Sequence, residues 1–374
     1  MIVEEIKAKS ILRKHKKIDS WFVARYGMNL YRGCAHNCVY CDGRAEKYNV
    51  EGEFGRKVAV KVNALEILSR ELDPSKKRVP LKAGYVIVGG GVGDSYQPVE
   101  EKYELTRKVL ELLYRLNRPI HILTKSTLVE RDLDIIKGIN AQNKAIVSFS
   151  FSSADDRISA IFEPGVPSPS RRFETMARIK SEGIACGLFL MPVIPFITDA
   201  PRKIEGVIKK AHRVGVDFII FSALTLKEGR QKEYFHSVLK EHYPNLILEY
   251  LNIYPKNKWG GPTKEYSGIL EGIFRSTAAR YRIPVRIPPS LYKDLLDEND
   301  RVVVILEHLD YLLRLRGRPS PYGYAAYSIS QLKEPISSMQ GRLRSLKGVG
   351  KMTESIIREI LRIGTSTYYE RLMG

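Results

Sequence analysis

The sequence predicts an α/β protein built on a parallel sheet, closed or partly closed as a barrel, with a mainly helical C-terminal extension. Three observations carry the prediction. Short apolar, β-prone runs alternate with longer amphipathic ones between about residues 55 and 255, which is the signature of strand-helix units. The alternation stops after Pro255. With 374 residues, the chain is long enough for one large domain with additions, or for two domains.

The units follow in order. KVAVKV (57–62) precedes the helical pattern NALEILSREL, GYVIVGG (84–90) precedes YELTRKVLELLYRL, and IHILTKS (120–126) precedes RDLDIIKGI. AIVSFSFS (145–152) is followed by RRFETMARIKSEG, CGLFLMPVIP (186–195) by APRKIEGVIKKAHRVG, and DFIIFSAL (217–224) closes the series. About six units fit, fewer than the eight of a full barrel. Beyond Pro255, NKWGGPTKEY is a turn-rich connector, IPVRIPPS (283–290) interrupts helical patterns, and LRLRGRPSPYGYAAYS (313–328) has the composition of a linker. The expected organisation is a barrel domain over 1–255, a helical extension and linker over 256–340, and a terminal segment over 341–374.

Charge narrows the function. Lys and Arg number 61 against 42 Asp and Glu, a formal charge of +19, which favours a polyanionic partner, nucleic acid first. The charged N-terminus has no signal-peptide core, and no run of about 18 apolar residues occurs, so a cytoplasmic protein that does not enter membranes is expected. Four cysteines in a chain of this size do not make a disulfide framework, and three in one loop suit metal or cluster ligation.

That loop is YRGCAHNCVYCDGR (31–44), with Cys34, Cys38 and Cys41 in the spacing C-x3-C-x2-C. Structural zinc wants four ligands, and the fourth cysteine, Cys186, stands alone in an apolar strand; His36 sits awkwardly between two of the three cysteines. A [4Fe-4S] cluster with three cysteine-bound irons and one open iron needs no fourth protein ligand.

With an aromatic, Tyr40, before the last cysteine, the motif resembles the signature of the radical S-adenosylmethionine (SAM) superfamily. NLYRGCAHNCVYC, VKVNALEIL, GDSYQPVEEKYELTRKVLELL, ILTKSTLVERDLDII, VSFSFSS with EPGVPSPSRR, and MPVIPFITD resemble, in this order, its spore photoproduct lyase-like branch over roughly residues 25–225. The resemblance implies a partial (β/α)6 TIM-type barrel in which Cys34, Cys38 and Cys41 hold the cluster and SAM binds the open iron. It further implies cleavage of SAM to a 5′-deoxyadenosyl radical that abstracts hydrogen from a substrate, and an electron donor such as a ferredoxin or flavodoxin.

It also places the turn of Gly89, Gly90 and Gly91 against the methionine part of SAM, and Lys125, at a strand's C-terminal end, near the SAM carboxylate. Ser148 and Ser150 share a strand face; pointing inward they would meet the ribose, pointing outward they are polar strand residues. Tyr40 is a catalytic candidate or packs beside the adenine. Asp94, Tyr96, Gln97 and Glu100 form a polar group past a strand end, with Asp94 a candidate for cofactor contact or a helix N-cap and Tyr96 a second catalytic candidate.

The pattern also departs from that branch. Its lyases are taken to use a cysteine after the second strand as hydrogen donor, where GGGVGDSYQP has glycine, and a tyrosine after the last cluster cysteine, where this chain has Asp42. Reversal of a thymine dimer by that hydrogen-return path is therefore not expected. Cys186, between Ala185 and Gly187 in an apolar run, reads as core.

At the C-terminus, RLRSLKGVGKMTESIIREILRI (342–363) resembles a helix-hairpin-helix module, which implies that Lys347, Gly348, Gly350 and Lys351 meet a nucleic acid backbone, aided by a helix N-terminus. Arg171 and Arg172, after EPGVPSPS, suit a phosphate-bearing substrate. The preferred reading is a radical SAM enzyme acting on a DNA lesion or a DNA or RNA base. The alternatives are the same chemistry on a protein or small molecule, and a zinc-stabilised, non-catalytic nucleic-acid-binding protein.

Overall fold

A computed structural model describes residues 1–48, 50, 54–76, 80–89, 92–339 and 341–373. Among these residues ten strands form two sheets. β1 (Ile2–Ile6), β4 (Tyr31–Arg32) and β5 (Lys57–Lys61) make a small sheet in the order β1-β5-β4. The large one is a curled half-barrel of β2 (Leu12–Asp19), β3 (Ala24–Met28), β6 (Tyr85–Val88), β7 (Ile120–Thr124), β8 (Ala145–Phe151), β9 (Ala185–Val193) and β10 (Phe218–Ala223), in the order β10-β9-β8-β7-β6-β3-β2. From β3 to β10 every pairing is parallel, and β2 adds an antiparallel edge.

Helices cover the outer face: α1 (Ala64–Leu72) after β5, α2 (Glu100–Tyr103) and α3 (Leu105–Arg115) after β6, α4 (Leu133–Gln142) after β7. α5 (Asp156–Phe162) and α6 (Pro169–Ser181) follow β8, α7 (Pro201–Val214) follows β9, and α8 (Arg230–His242) and α9 (Ile247–Ile253) follow β10. Then come α10 (Lys264–Arg280), α11 (Glu298–Arg314), α12 (Tyr322–Ser330), α13 (Lys351–Ile363) and α14 (Thr367–Met373).

The partial barrel is as the sequence predicts, with two differences. The run 57–61 is not a barrel strand; it pairs with β1 and β4 in the small sheet. The first barrel strand is β3, ARYGM, whose five residues are all buried although Arg and Gly give it no apolar run. The stretch 313–328 is not an open linker either: Tyr322 begins α12, which buries Tyr322, Ala325 and Ala326.

Side chains filling the barrel form a layer of Tyr85, His121, Phe189 and Phe218 with Phe22. His121 is fully buried; its Nδ1 meets the Phe22 carbonyl at 3.2 Å and its Nε2 meets the Ser148 hydroxyl at 2.8 Å. Desolvation drops its pKa to about 4, so the ring is neutral and structural. Gly187 leaves the space that the Phe218 ring fills, since a Cβ there would lie 2.2 Å from it.

Below this layer α11 closes the barrel. Asp300 at its first turn pairs with buried Arg25 of β3, the guanidinium Nε donating at 2.6 Å. His308 stands between the Tyr369 hydroxyl and the Ser20 carbonyl, 2.8 Å from each. The free edge of β10 is partly met by the segment 283–287, whose Pro284 carbonyl accepts from Ile219 N–H at 2.8 Å. The barrel is thus a cup, closed at the N-terminal ends of its strands and open at the C-terminal ends, where active sites of this architecture lie. Among the described residues no helix is long and apolar enough to cross a membrane.

Candidate active site

The cysteine loop leaves β4 and lies across the open end. Gly33 turns the chain with φ of 81°, at a point where a Cβ would come within 2.6 Å of the Lys57 carbonyl, so only glycine fits. Buried Gln97 accepts from Ala35 N–H at 2.8 Å and donates to the Gly33 carbonyl at 3.2 Å. Arg44 donates to the Cys38 carbonyl at 3.1 Å and stacks on Tyr234. Asp42 pairs with Lys227 at 2.5 Å and accepts from Thr225 and Gln231, each at 3.1 Å. The loop is therefore rigid and held from several sides.

The segment after α5 forms its lid. Val39 N–H donates to the Phe162 carbonyl at 2.9 Å, Gly165 N–H to the His36 carbonyl at 3.1 Å, and His36 Nδ1 meets the Gly165 carbonyl at 2.8 Å. A Cβ on Gly165 would lie 2.6 Å from the Ala35 carbonyl oxygen and 2.9 Å from that of His36, both backbone atoms that cannot rotate away. Gly165→Ala is expected to displace the loop at a cost of about 1–3 kcal/mol. Iron bound per chain after reconstitution should fall by at least about half while the far-UV spectrum stays native; full iron loading would show that the lid does not hold the loop.

Cys38 and Cys41 face a cavity of about 370 Å³ that is also lined by Tyr40, Asp42, Lys125 and Ser150. Cys34 lies behind them, packed with Val50 and Phe54. The three thiols are free of disulfides and within electrostatic reach of one another. Burial pushes all three up, Cys38 to about 12, the direction expected of thiols waiting for a cation to stabilise the thiolate.

At the back of the cavity stands Glu163, fully buried. Its Oε1 accepts from the Tyr40 hydroxyl, from Lys125 Nζ at 3.0 Å and from Ser152 at 3.0 Å; its Oε2 accepts from Ser159 at 2.9 Å and from Arg172 at 2.5 Å. Burial opposes its ionisation, yet Arg172, Lys125 and the Tyr40 hydroxyl together hold the carboxyl well below the usual range. Lys125 also donates to Ser150 at 2.9 Å, so a carboxylate already orients the lysine that lines the cavity.

Several expected site residues lie elsewhere. Tyr96 does not face the cavity; it is fully buried, its hydroxyl set beside Asp132 without a hydrogen bond of good geometry. Asp94 accepts from Thr124 at 2.8 Å and from Lys125 N–H at 2.7 Å and lies 3.2 Å from His36 Nε2, which sets the cysteine loop against the end of β7; it is not among the residues that line the cavity. Ser150 lines the cavity, but Ser148 lies one layer deeper, bound to His121. Arg172 is not a surface cation: it is fully buried in its pair with Glu163 and donates to the Ser150 carbonyl. Arg171 is exposed. Gly89 has φ of 80°, with a Cβ position 2.8 Å from the Leu123 carbonyl; Gly90 and Gly91 lie outside the described residues. Glu163, Phe22, Met191, Ser222 and Thr225 are site residues that sequence reasoning missed.

At the far end, Gly348 has φ of 87° and packs against α12, its Cβ position 2.5 Å from Ala325 N. Lys347, Gly350 and Lys351 are exposed around the start of α13, next to exposed Tyr324 and Tyr327. Arg344 is committed to Glu354 at 2.5 Å. The expected first helix of the hairpin is represented among the described residues by two single turns, Ile336–Met339 and Leu343–Ser345.

The three free thiols, all in one loop, are the donor type that a cubane cluster takes, each thiolate on a different iron. A cup-shaped half-barrel with three free thiols at its rim defines a class, and residues 28–207 match the family model described as the radical SAM superfamily. Residues 28–207 are thus a radical SAM domain and mark an enzyme of that class, and the superfamily implies a [4Fe-4S] cluster and SAM as cofactors.

Relatives extend the match. An uncharacterized protein of Mycobacterium tuberculosis strain H37Rv is 28% identical over 263 residues, covering 69% of this chain and 75% of the relative. One from Methanocaldococcus jannaschii is 29% identical over 223 residues, covering 59% and 77%. Among solved structures, a spore photoproduct lyase mutant aligns with TM-score 0.56 at 18% identity over 75% of this chain and 79% of that one. A spore photoproduct lyase complexed with dinucleoside spore photoproduct aligns with TM-score 0.54 at 16% identity over the same shares. At these identities the structures speak for the fold.

Proposed function

We propose that this radical SAM enzyme acts on nucleic acid, at a lesion or a base, with Cys34, Cys38 and Cys41 as the cluster ligands. The observation that carries the substrate reading is the exposed group of Lys347, Lys351, Tyr324 and Tyr327 at the start of α13, in a chain of formal charge +19. Cations there meet phosphates and aromatic faces meet unstacked bases. A spore photoproduct lyase, one of the neighbours in fold, has been solved complexed with dinucleoside spore photoproduct, which agrees with this reading.

When bound, the cluster and SAM supply reductive sulfonium cleavage and hydrogen-atom abstraction. The chain's own residues do the rest. Lys125, steered by Glu163, would pair with the SAM carboxylate, and Ser150, whose hydroxyl proton goes to the Met191 carbonyl, would accept from a ribose hydroxyl. Tyr40, pinned through its hydroxyl, forms a flat wall of the cavity. Asp42, fixed by Lys227, ties the last cysteine to the end of the sheet instead of serving as a hydrogen relay. Cys186 is buried in the core with its amide bound to Asp217 at 2.7 Å, so it does not return hydrogen to the substrate. An electron donor of the ferredoxin or flavodoxin type completes the cycle.

Fluorescence anisotropy with single and duplex DNA and RNA tests the substrate class. Binding should weaken steeply between about 50 and about 200 mM salt, and Lys347→Ala with Lys351→Ala should lower the salt slope by about 1.4–1.8, the share of two phosphates. Absence of salt-dependent binding to all four polymers would rule the reading out.

A further inference from the structure

We infer that the N-terminal arm carries a phosphate subsite, formed by Arg13 and Lys61 with His15 beside them, that seats a backbone phosphate of the substrate next to the reaction cavity. The inference rests on the nucleic-acid reading above and deepens it.

A second cavity, of about 390 Å³, is lined by Arg13, His15, Asp19, Gly27 and Lys61, and it shares Phe22 with the cavity of the cysteines. The two are therefore neighbours across one side chain. β2 is LRKHKKID, with four Lys or Arg in eight residues. Its antiparallel register on β3 sets Arg13 opposite Gly27, and alternation puts Arg13 and His15 on the same face. That face is the concave one: His15 Nε2 lies 3.7 Å from the place where a Cβ of Gly27 would be. Lys14 and Lys16 lie on the opposite face of the strand; Arg13 is exposed as they are, but at the rim of the cavity that it lines.

The charges that line this cavity are not neutralised from within. Arg13 makes no salt bridge among the described residues. Lys61 is half-buried, and its Nζ donates to the backbone carbonyl of Asn29 at 2.6 Å, which orients an ammonium without cancelling it. The lone carboxylate in the lining, Asp19, is turned to its own backbone, with Oδ1 accepting from Trp21 N–H at 2.9 Å and Phe22 N–H at 3.1 Å. A concave pocket with two cations of net positive charge, opening beside a reaction cavity, is built for an anion. A phosphodiester next to the reacting nucleotide is the anion that the substrate class provides, and a guanidinium matches its paired oxygens.

The test uses the reconstituted, SAM-loaded enzyme and a short fluorescein-labelled single strand of DNA or RNA, with anisotropy read at about 50 and about 200 mM salt. Arg13→Ala with Lys61→Ala should weaken binding about tenfold and lower the salt slope by about 0.7, the share of one phosphate on a single strand. Arg13→Lys with Lys61→Arg should restore most of both, and Lys14→Ala with Lys16→Ala, on the opposite face, should change the slope much less. Thermal melts establish that each variant is folded. Equal losses from both pairs of alanines, or none from Arg13 and Lys61, would overturn the subsite while leaving nucleic-acid binding in place. No binding by the unaltered enzyme would overturn the substrate reading and the subsite with it.

Discussion

Replacing any one of Cys34, Cys38 and Cys41 with serine is expected to cut production of 5′-deoxyadenosine from SAM by more than about 100-fold, because changes merely in the shell around a metal site already cost about 10–100-fold. In the proposed cluster each thiolate would bind its own iron, so no remaining side chain would substitute for the one removed. The thiols sit in desolvated positions where the ionised form is unfavourable without a cation, and a serine hydroxyl, far harder to ionise, is a poorer ligand still. Iron per chain and nucleoside yield, measured after anaerobic reconstitution with a strong reductant, should fall together. Cys186→Ser serves as the control, since that cysteine lies in the core away from the cavity. A loop variant that keeps full iron and full yield would remove the assignment of ligands.

The second large effect is on stability. Glu163→Ala removes from fully buried Arg172 its one carboxylate partner among the described residues, and breaking one side of such a pair costs about 3–5 kcal/mol. Urea denaturation should show a lower midpoint with an unchanged slope, and Glu163→Gln, which keeps the shape but not the charge, should lose less. The pH dependence has a definite sign. The folded chain holds this carboxyl below its ordinary range, so the stabilisation is complete above the unfolded glutamate value of about 4.3 and drains away as pH falls below it towards the folded value. The gap between the unaltered chain and Glu163→Ala should therefore be widest near neutral pH and shrink in acid. A gap that grows in acid would mean that Arg172 is balanced by something other than Glu163.

Much of the architecture was readable before any coordinates, because strand and helix each impose a period on the side chains they bury. The alternation behind β6 to β10 and the cysteine spacing are local patterns of this kind. What could not be read depends on partners distant in sequence. Arg25 breaks the apolar run of β3 and is tolerated inside because Asp300 meets it. The run 57–61 has the right composition for a barrel strand, but composition does not say which sheet will accept it. Glu163 looked like the first residue of a loop; its role exists only when Tyr40, Lys125 and Arg172 arrive from three other elements. Arg171 and Arg172 look equally suited to a phosphate in the sequence, since two adjacent arginines look alike until one is buried. Tyr96 and Asp94 do lie side by side, but Asp94 is turned to His36 of the loop and Tyr96 into the interior beside Asp132.

The pairing of Arg25 with Asp300, and of Ser20 with His308, also bears on how this enzyme can be dissected. A chain cut after residue 255 would not be a lighter version of the same catalyst. It would strand a guanidinium in an apolar interior and strip the Pro284 carbonyl from the edge of β10, offering that edge to any other chain in the tube. Loss of nucleic-acid binding in such a fragment would report misfolding and association as readily as a missing contact. Point substitutions on an intact chain are the only clean way to ask what the last third contributes.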